Sequence, residues 1–106
     1  GGKLLHQSSR PTAVITMNHN IAVGLISACL DGGLRLPADL SILSFDNTDL
    51  AKVSLPSLTS FDLCTSRIVE CLSDRVLERI EKRDLAPEII LIPPELVLRH
   101  SCAAVH

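Results

Sequence analysis

The chain has 106 residues, 46% hydrophobic and 21% charged, with a formal net charge of −2 and a pI of about 6.0. That length holds one small domain with a real core and not two, and the apolar content excludes a disordered segment. No basic excess marks a nucleic-acid footprint, and with no Trp or Tyr, only Phe45, Phe61 and the histidines could stack on bases or sugar rings.

The chain opens Gly-Gly-Lys without an initiator Met, so it is expected to be a piece of a longer protein. No run reaches the roughly 18 apolar residues of a membrane span. Residues 1–11 read as the tail of a helix and its loop, with a turn at Gln7-Ser8-Ser9-Arg10-Pro11. Ala13-Val14-Ile15-Thr16-Met17 is a β-branched strand run, apolar on both faces, as parallel strands covered by helices are. Asn18 or Asn20 can cap the helix that follows, and Gly32-Gly33 can stop it. Between Ile21 and Leu30 only Ser27 is polar, so this helix needs cover on more than one side. Ala22-Leu25-Ile26-Cys29 is the face for the sheet. Asn20-Val23-Gly24-Ser27, small and spaced for close helix approach, is covered either by more of the same chain or by a second subunit.

Ser41-Ile42-Leu43-Ser44-Phe45 is the next strand, which makes a βαβ unit and sets Asn18 and Asp46 at corresponding strand ends on one rim. Leu50–Leu55 reads as a short helix or turn stopped near Pro56, and Leu58-Thr59-Ser60-Phe61 as a shorter strand. A long helix follows from Thr65 to Arg83, capped by Thr65 or Ser66. Its apolar stripe is Val69, Leu72, Val76 and Ile80, and its charged face is a solvated one. Ile89–Ile92 and Leu96–Leu98 are extended segments; Pro93-Pro94 between them excludes a single central strand and marks a change of layer or lobe.

Cys29, Cys64, Cys71 and Cys102 contain no Cys-x-x-Cys pair, and Cys64 and Cys71 would lie roughly 10 Å apart along one helix. Free thiols in a reducing cytosol are expected, with no metal site and no cofactor.

The strand at 41–45 stops abruptly at Asp46-Asn47-Thr48-Asp49. These are ordinary turn and cap residues, but the carboxyl ends of parallel strands are also where ligands sit in α/β folds. A catalytic aspartate would need a second carboxylate to hold a metal, and only Asp49 is near. No Gly-x-Ser-x-Gly elbow, Walker loop or dinucleotide fingerprint is present, so an enzyme is not expected. A carboxylate beside an amide suits a polyol, sugar, nucleobase or amino-acid-like ligand.

Four motifs then carry a resemblance. Residues 11–24 (Pro11-Thr12-Ala13 through Asn18-His19 to Ala22-Val23-Gly24) resemble "P-T-A-apolar-…-N-D-x-x-A-x-G". Residues 33–47 resemble "G-L-R-V-P-x-D-V-S-V-V-G-F-D-D", 56–61 "P-P-L-T-T-V", and 95–101 "E-L-V-V-R-x-S". In this order and spacing they are similar to the lactose-repressor/galactose-repressor family of bacterial transcription regulators. The resemblance implies an α/β, three-layer fold with a parallel sheet, part of a periplasmic-binding-protein-like (type I) effector-binding domain. Residues 11–61 would form a βαβ unit of the C-terminal lobe, 65–83 a helix of the N-terminal lobe, and 88–101 the return. Asp46 and Asn18 would contact a small-molecule effector, a sugar or related metabolite. Asn20, Val23, Gly24 and Ser27 with Val53, Ser54 and Leu55 would form a homodimer contact. Operator DNA would be bound by a helix-turn-helix absent from this chain, in the cytoplasm and without a membrane. A periplasmic-type sugar receptor of the same architecture is the alternative. Among the departures from the pattern, His19 stands for Asp, as a pH-sensitive or donor group or a surface residue, Ser44 for Gly, and Leu63 for a polar residue.

Overall fold

The computed structural model describes residues 2–82 and 84–105. Three strands run in parallel in chain order: β1 (Ala13–Thr16), β2 (Ser41–Phe45) and β3 (Thr59–Asp62), with β4 (Glu95–Val97) antiparallel at the β3 edge. The register pairs Thr16 with Ser44, and Phe45 with Phe61. Helices α1 (Gly2–Leu5), α2 (His19–Asp31), α3 (Asp49–Val53) and α4 (Thr65–Glu81) alternate with them.

The core forms where the sequence pattern asks for it. Ala22, Leu25, Ile26 and Cys29, one stripe of α2, pack on Ile42 and Leu40, with Ala51 of α3 and Leu58 closing the cluster. Each fully buried Leu or Ile here contributes roughly 1.5–3 kcal/mol. Asn18 is the cap of α2: its side-chain oxygen accepts the Ile21 amide at 3.0 Å. The helix ends at Gly32, and Gly33 takes the left-handed turn at φ 77° that an L side chain resists.

Several local expectations need correction. Ile15 of β1 is 66% exposed, so within this chain β1 is not covered on both faces. The long helix begins one turn-residue after Cys64, which sits in the left-handed region at φ 55° with no capping side chain, so neither Thr65 nor Ser66 is the cap. Asp62 substitutes for one, its carboxylate accepting the Cys64 amide at 2.8 Å. The helix is described to Glu81, with Lys82 as its C-cap, and Arg83 lies outside the described residues. Ile89–Ile92 joins no ladder; it lies along α4, where Arg75 bonds Glu88 at 3.1 Å. Helix α4 has no buried residue, and its Val69–Ile80 stripe is open to solvent.

The radius of gyration is 18.6 Å, where a closed globule of this length would have about 13 Å. The excess comes from α4 standing away from the sheet, with its apolar stripe left bare.

Candidate functional site

Asn18 and Asp46 each follow by two residues the last pair of the β1–β2 ladder, Thr16 and Ser44, so both lie on the carboxyl rim of the parallel sheet. The β2–β3 register sets Asp62 level with Asp46 on the next strand. Two carboxylates and one carboxamide thus share an edge, but they do different work.

Asp62 is occupied. One of its oxygens accepts from Asn47 Nδ2 at 3.1 Å and the other from the Cys64 amide. The Asn47 bond, then the amide, hold its carboxyl below the ordinary range. Asp46 takes part in no side-chain hydrogen bond or ion pair among the described residues, and it is half-buried in the left-handed region at φ 74°. That conformation costs an L residue about 1–2 kcal/mol, and such outliers concentrate where a side chain has to be aimed. Asn18 has spent its oxygen on the helix amide, which fixes the orientation of its carboxamide and leaves Nδ2 as a donor. The rim therefore offers an anionic acceptor and a neutral donor, the pair that a hydroxyl satisfies at once.

Ser44 turns away from the rim. It is fully buried and bonds Ser60 Oγ at 3.1 Å across the ladder, so its departure from the expected Gly is absorbed inside the sheet. Phe45 and Phe61 stack with centroids 5.2 Å apart. Leu63 is partly exposed, beyond the end of β3.

A second locus is a groove of about 530 Å³ between α2 and α3. Six of the seven residues expected at a subunit contact line it: Asn20, Val23, Ser27, Val53, Ser54 and Leu55. Gly24 lies on the same exposed face, with nothing within 4 Å of where a Cβ would stand. Val53 and Leu55 are 73% and 83% exposed, so nothing among the described residues covers this face. His19 is not a surface residue: it is 7% exposed, lines the inner end of the groove, and its Nδ1 has no partner among the described residues.

Beside Asn47 stand Asp62 and Arg99, which no sequence pattern singled out. Arg99 donates to the Leu58 carbonyl at 2.6 Å and to Asn47 Oδ1, and its own amide bonds Thr59 Oγ1 at 3.0 Å. Of the three, only Arg99 matches the residue type in a quoted motif, whereas Asn47 stands where the motif has Asp. All four cysteines are free thiols, and burial raises that of Cys29. Among the described residues no group of His, Cys, Asp and Glu is arranged to hold a metal.

With this geometry in hand, comparison with known proteins decides the family. The periplasmic binding protein-like domain matches residues 2–102. The chain belongs to that family. It is 38% identical over 99 residues to the HTH-type transcriptional repressor PurR of Mannheimia succiniciproducens, covering 93% of this chain and 30% of that protein. Its fold superposes on the lac repressor dimer bound to operator and the anti-inducer ONPF with a TM-score of 0.87 at 27% identity, over 97% of this chain and 36% of that one. A LacI family transcriptional regulator from Enterococcus faecium with bound ribose gives 0.82 at 27%, over 95% and 37%. These relatives are transcriptional regulators, not enzymes, and the chain is a segment of the LacI-type effector-binding domain. It spans about a third of the length of the relatives it matches.

Proposed function

We propose that the chain is the C-terminal part of the effector-binding region of a bacterial transcription regulator, in which a small hydroxylated metabolite, a sugar or related compound, binds between two lobes and changes the operator affinity of a dimer. The observation that carries this reading is Asp46. A carboxylate held at φ 74° on the carboxyl rim of a parallel sheet, uncommitted among the described residues and level with the donor end of Asn18, is placed to grip a hydroxyl. The ribose-bound relative supports the ligand class. In this reading residues 11–61 lie in one lobe, α4 in the other, and residues 88–101 return to the first, which accounts for the bare stripe of α4. The α2–α3 groove receives the same groove of a second subunit, since an isologous contact lets one apolar patch cover its copy. Such a regulator works in the cytoplasm, with operator DNA bound by a helix-turn-helix elsewhere in the protein. No helix among the described residues is long and apolar enough to cross a membrane.

The effector acts by preferring one lobe arrangement, so its leverage on DNA equals its difference in affinity for the two states. The test is fluorescence anisotropy of the intact regulator on DNA from its own promoter, titrated with D-ribose and other monosaccharides. A ligand-dependent shift in DNA affinity is expected. Tight sugar binding with no affinity for DNA would favour the receptor alternative.

A further inference from the structure

We propose that Arg99, Asn47 and Asp62 form a clasp that holds the loop bearing Asp46 in its ligand-ready conformation and ties it to the first turn of α4. The proposal rests on the effector reading above and adds positioning residues to it. A left-handed Asp46 persists only if its surroundings over-determine it, and its own side chain supplies no anchor among the described residues. The anchor is the next residue. Asn47 is gripped from both sides, its Oδ1 by the Arg99 guanidinium and its Nδ2 by Asp62 Oδ2 at 3.1 Å. A cation on one side and a carboxylate on the other fix which way the amide points.

Both ends of the clasp are themselves held. Arg99 reaches back to the Leu58 carbonyl at 2.6 Å, and its backbone amide bonds Thr59 Oγ1, so the guanidinium is fixed to the base of β3. Asp62 closes the turn into α4 through the Cys64 amide at 2.8 Å. Its lowered carboxyl pKa agrees with a carboxylate that stays charged in this role. These bonds are partly buried, unlike the exposed Arg35–Asp39 pair. The chain of contacts runs from the C-terminal segment, through the loop after β2, to the residue where the chain leaves the sheet for α4. A ligand that draws on Asp46 therefore moves the start of α4 with it.

Asn47 tests this because its replacements part the two halves. Asn47→Ala removes both bonds, whereas Asn47→Asp keeps a partner for Arg99 but sets a second carboxylate against Asp62. Hydrogen exchange by mass spectrometry on the intact regulator without ligand should show about tenfold faster exchange at 46–48 and 62–65 in Asn47→Ala, with the β1–β2 amides unchanged. Asn47→Asp should loosen 62–65 more than 46–48. Arg99→Lys, which keeps the charge but cannot span both acceptors, is the second variant if Asn47→Ala does not fold, and it should loosen 46–48. Calorimetric titration with D-ribose and free purine bases, run below the onset of thermal unfolding, should then show roughly tenfold weaker binding in Asn47→Ala. Unchanged exchange at both segments overturns the clasp whether or not any probe binds, and so does uniformly faster exchange, which would mark a general structural role. If Asp46→Ala keeps full affinity while the exchange changes appear, the effector reading fails and the clasp stands.

Discussion

Ser101 Oγ accepts a hydrogen bond from the backbone amide of Thr59 at 2.8 Å and donates one to the carbonyl of Ile42. The β2–β3 ladder begins only at Leu43 and Thr59, so below it the two strands would leave buried backbone groups unpaired. The C-terminal segment fills the gap: the Ser101 carbonyl accepts the Ile42 amide at 2.8 Å, and the fully buried side chain takes the rest. The end of the chain is thereby sewn into the sheet that carries Asp46.

Ser101→Ala is expected to destabilise the fold by about 1–3 kcal/mol, because the buried Thr59 amide loses its acceptor. Equilibrium urea unfolding measures this. A loss below about 0.5 kcal/mol, the level of an ordinary surface change, would mean that water replaces the hydroxyl.

Asp46→Gly should be more stable than Asp46→Ala by about 1 kcal/mol, since glycine adopts φ 74° without the clash that alanine retains. Neither variant keeps the carboxylate, so both should lose effector response. Thermal melts of the pair, read beside ligand titrations, separate the backbone contribution from the chemical one. Equal stability would show that position 46 relaxes out of the left-handed region.

Asp39 carries a specific pH signature. The side-chain and backbone hydrogen bonds from Arg35 hold its carboxyl down at about 2. A carboxyl depressed in the folded state adds stability that is fully present above its unfolded value of about 3.9 and is lost as pH falls through the folded value. The Arg35–Asp39 turn should therefore hold at neutral pH and loosen between about pH 4 and 2. Carboxyl-carbon NMR titration should place the Asp39 midpoint near 2 and return it to the ordinary range in Arg35→Ala. An unchanged midpoint in that variant would remove the guanidinium as the cause.

Much of the fold is legible in the sequence because periodicity and burial agree there. The α2 stripe Ala22-Leu25-Ile26-Cys29 and the strands at 13–16 and 41–45 stand where hydrophobic spacing sets them. The entry to α4 was not legible, because its first turn is closed by the Asp62 carboxylate arriving from the preceding strand rather than by a side chain at the cap position. Ile89–Ile92 reads as extended, but an apolar run forms a strand only beside a partner, and its neighbour here is α4. At the rim, the sequence places Asn18 and Asp46 at corresponding strand ends, and the β1–β2 register puts them there; their effector role rests on the family resemblance. The Arg99–Asn47–Asp62 connection was not legible, since residues 47 and 99 are brought together only by the final strand order.

Gly24→Glu addresses the α2–α3 groove. Apart from the adjoining helix backbone, no described atom lies within 4 Å of a Cβ at this position, so the helix tolerates the side chain, and replacing glycine within a helix favours it by several tenths of a kcal/mol. If the groove is a two-fold contact, each glutamate meets its copy across the axis, and the intact regulator should sediment as a monomer with weakened operator binding. Sedimentation as a dimer at micromolar concentration would show that another part of the intact regulator, and not a second subunit, covers this face.

Asp46 is the group proposed to grip the effector. The most direct measurement is calorimetric titration of the intact regulator and its Asp46→Ala variant with whichever monosaccharide shifts operator binding. Losing a charge-assisted acceptor costs about 1.5–3 kcal/mol, so the variant should bind more than tenfold more weakly, with Asn18→Ala affected in the same direction but less, and with melting and ligand-free operator affinity nearly unchanged. An Asp46→Ala variant that binds the effector as tightly as the wild type would contradict the account.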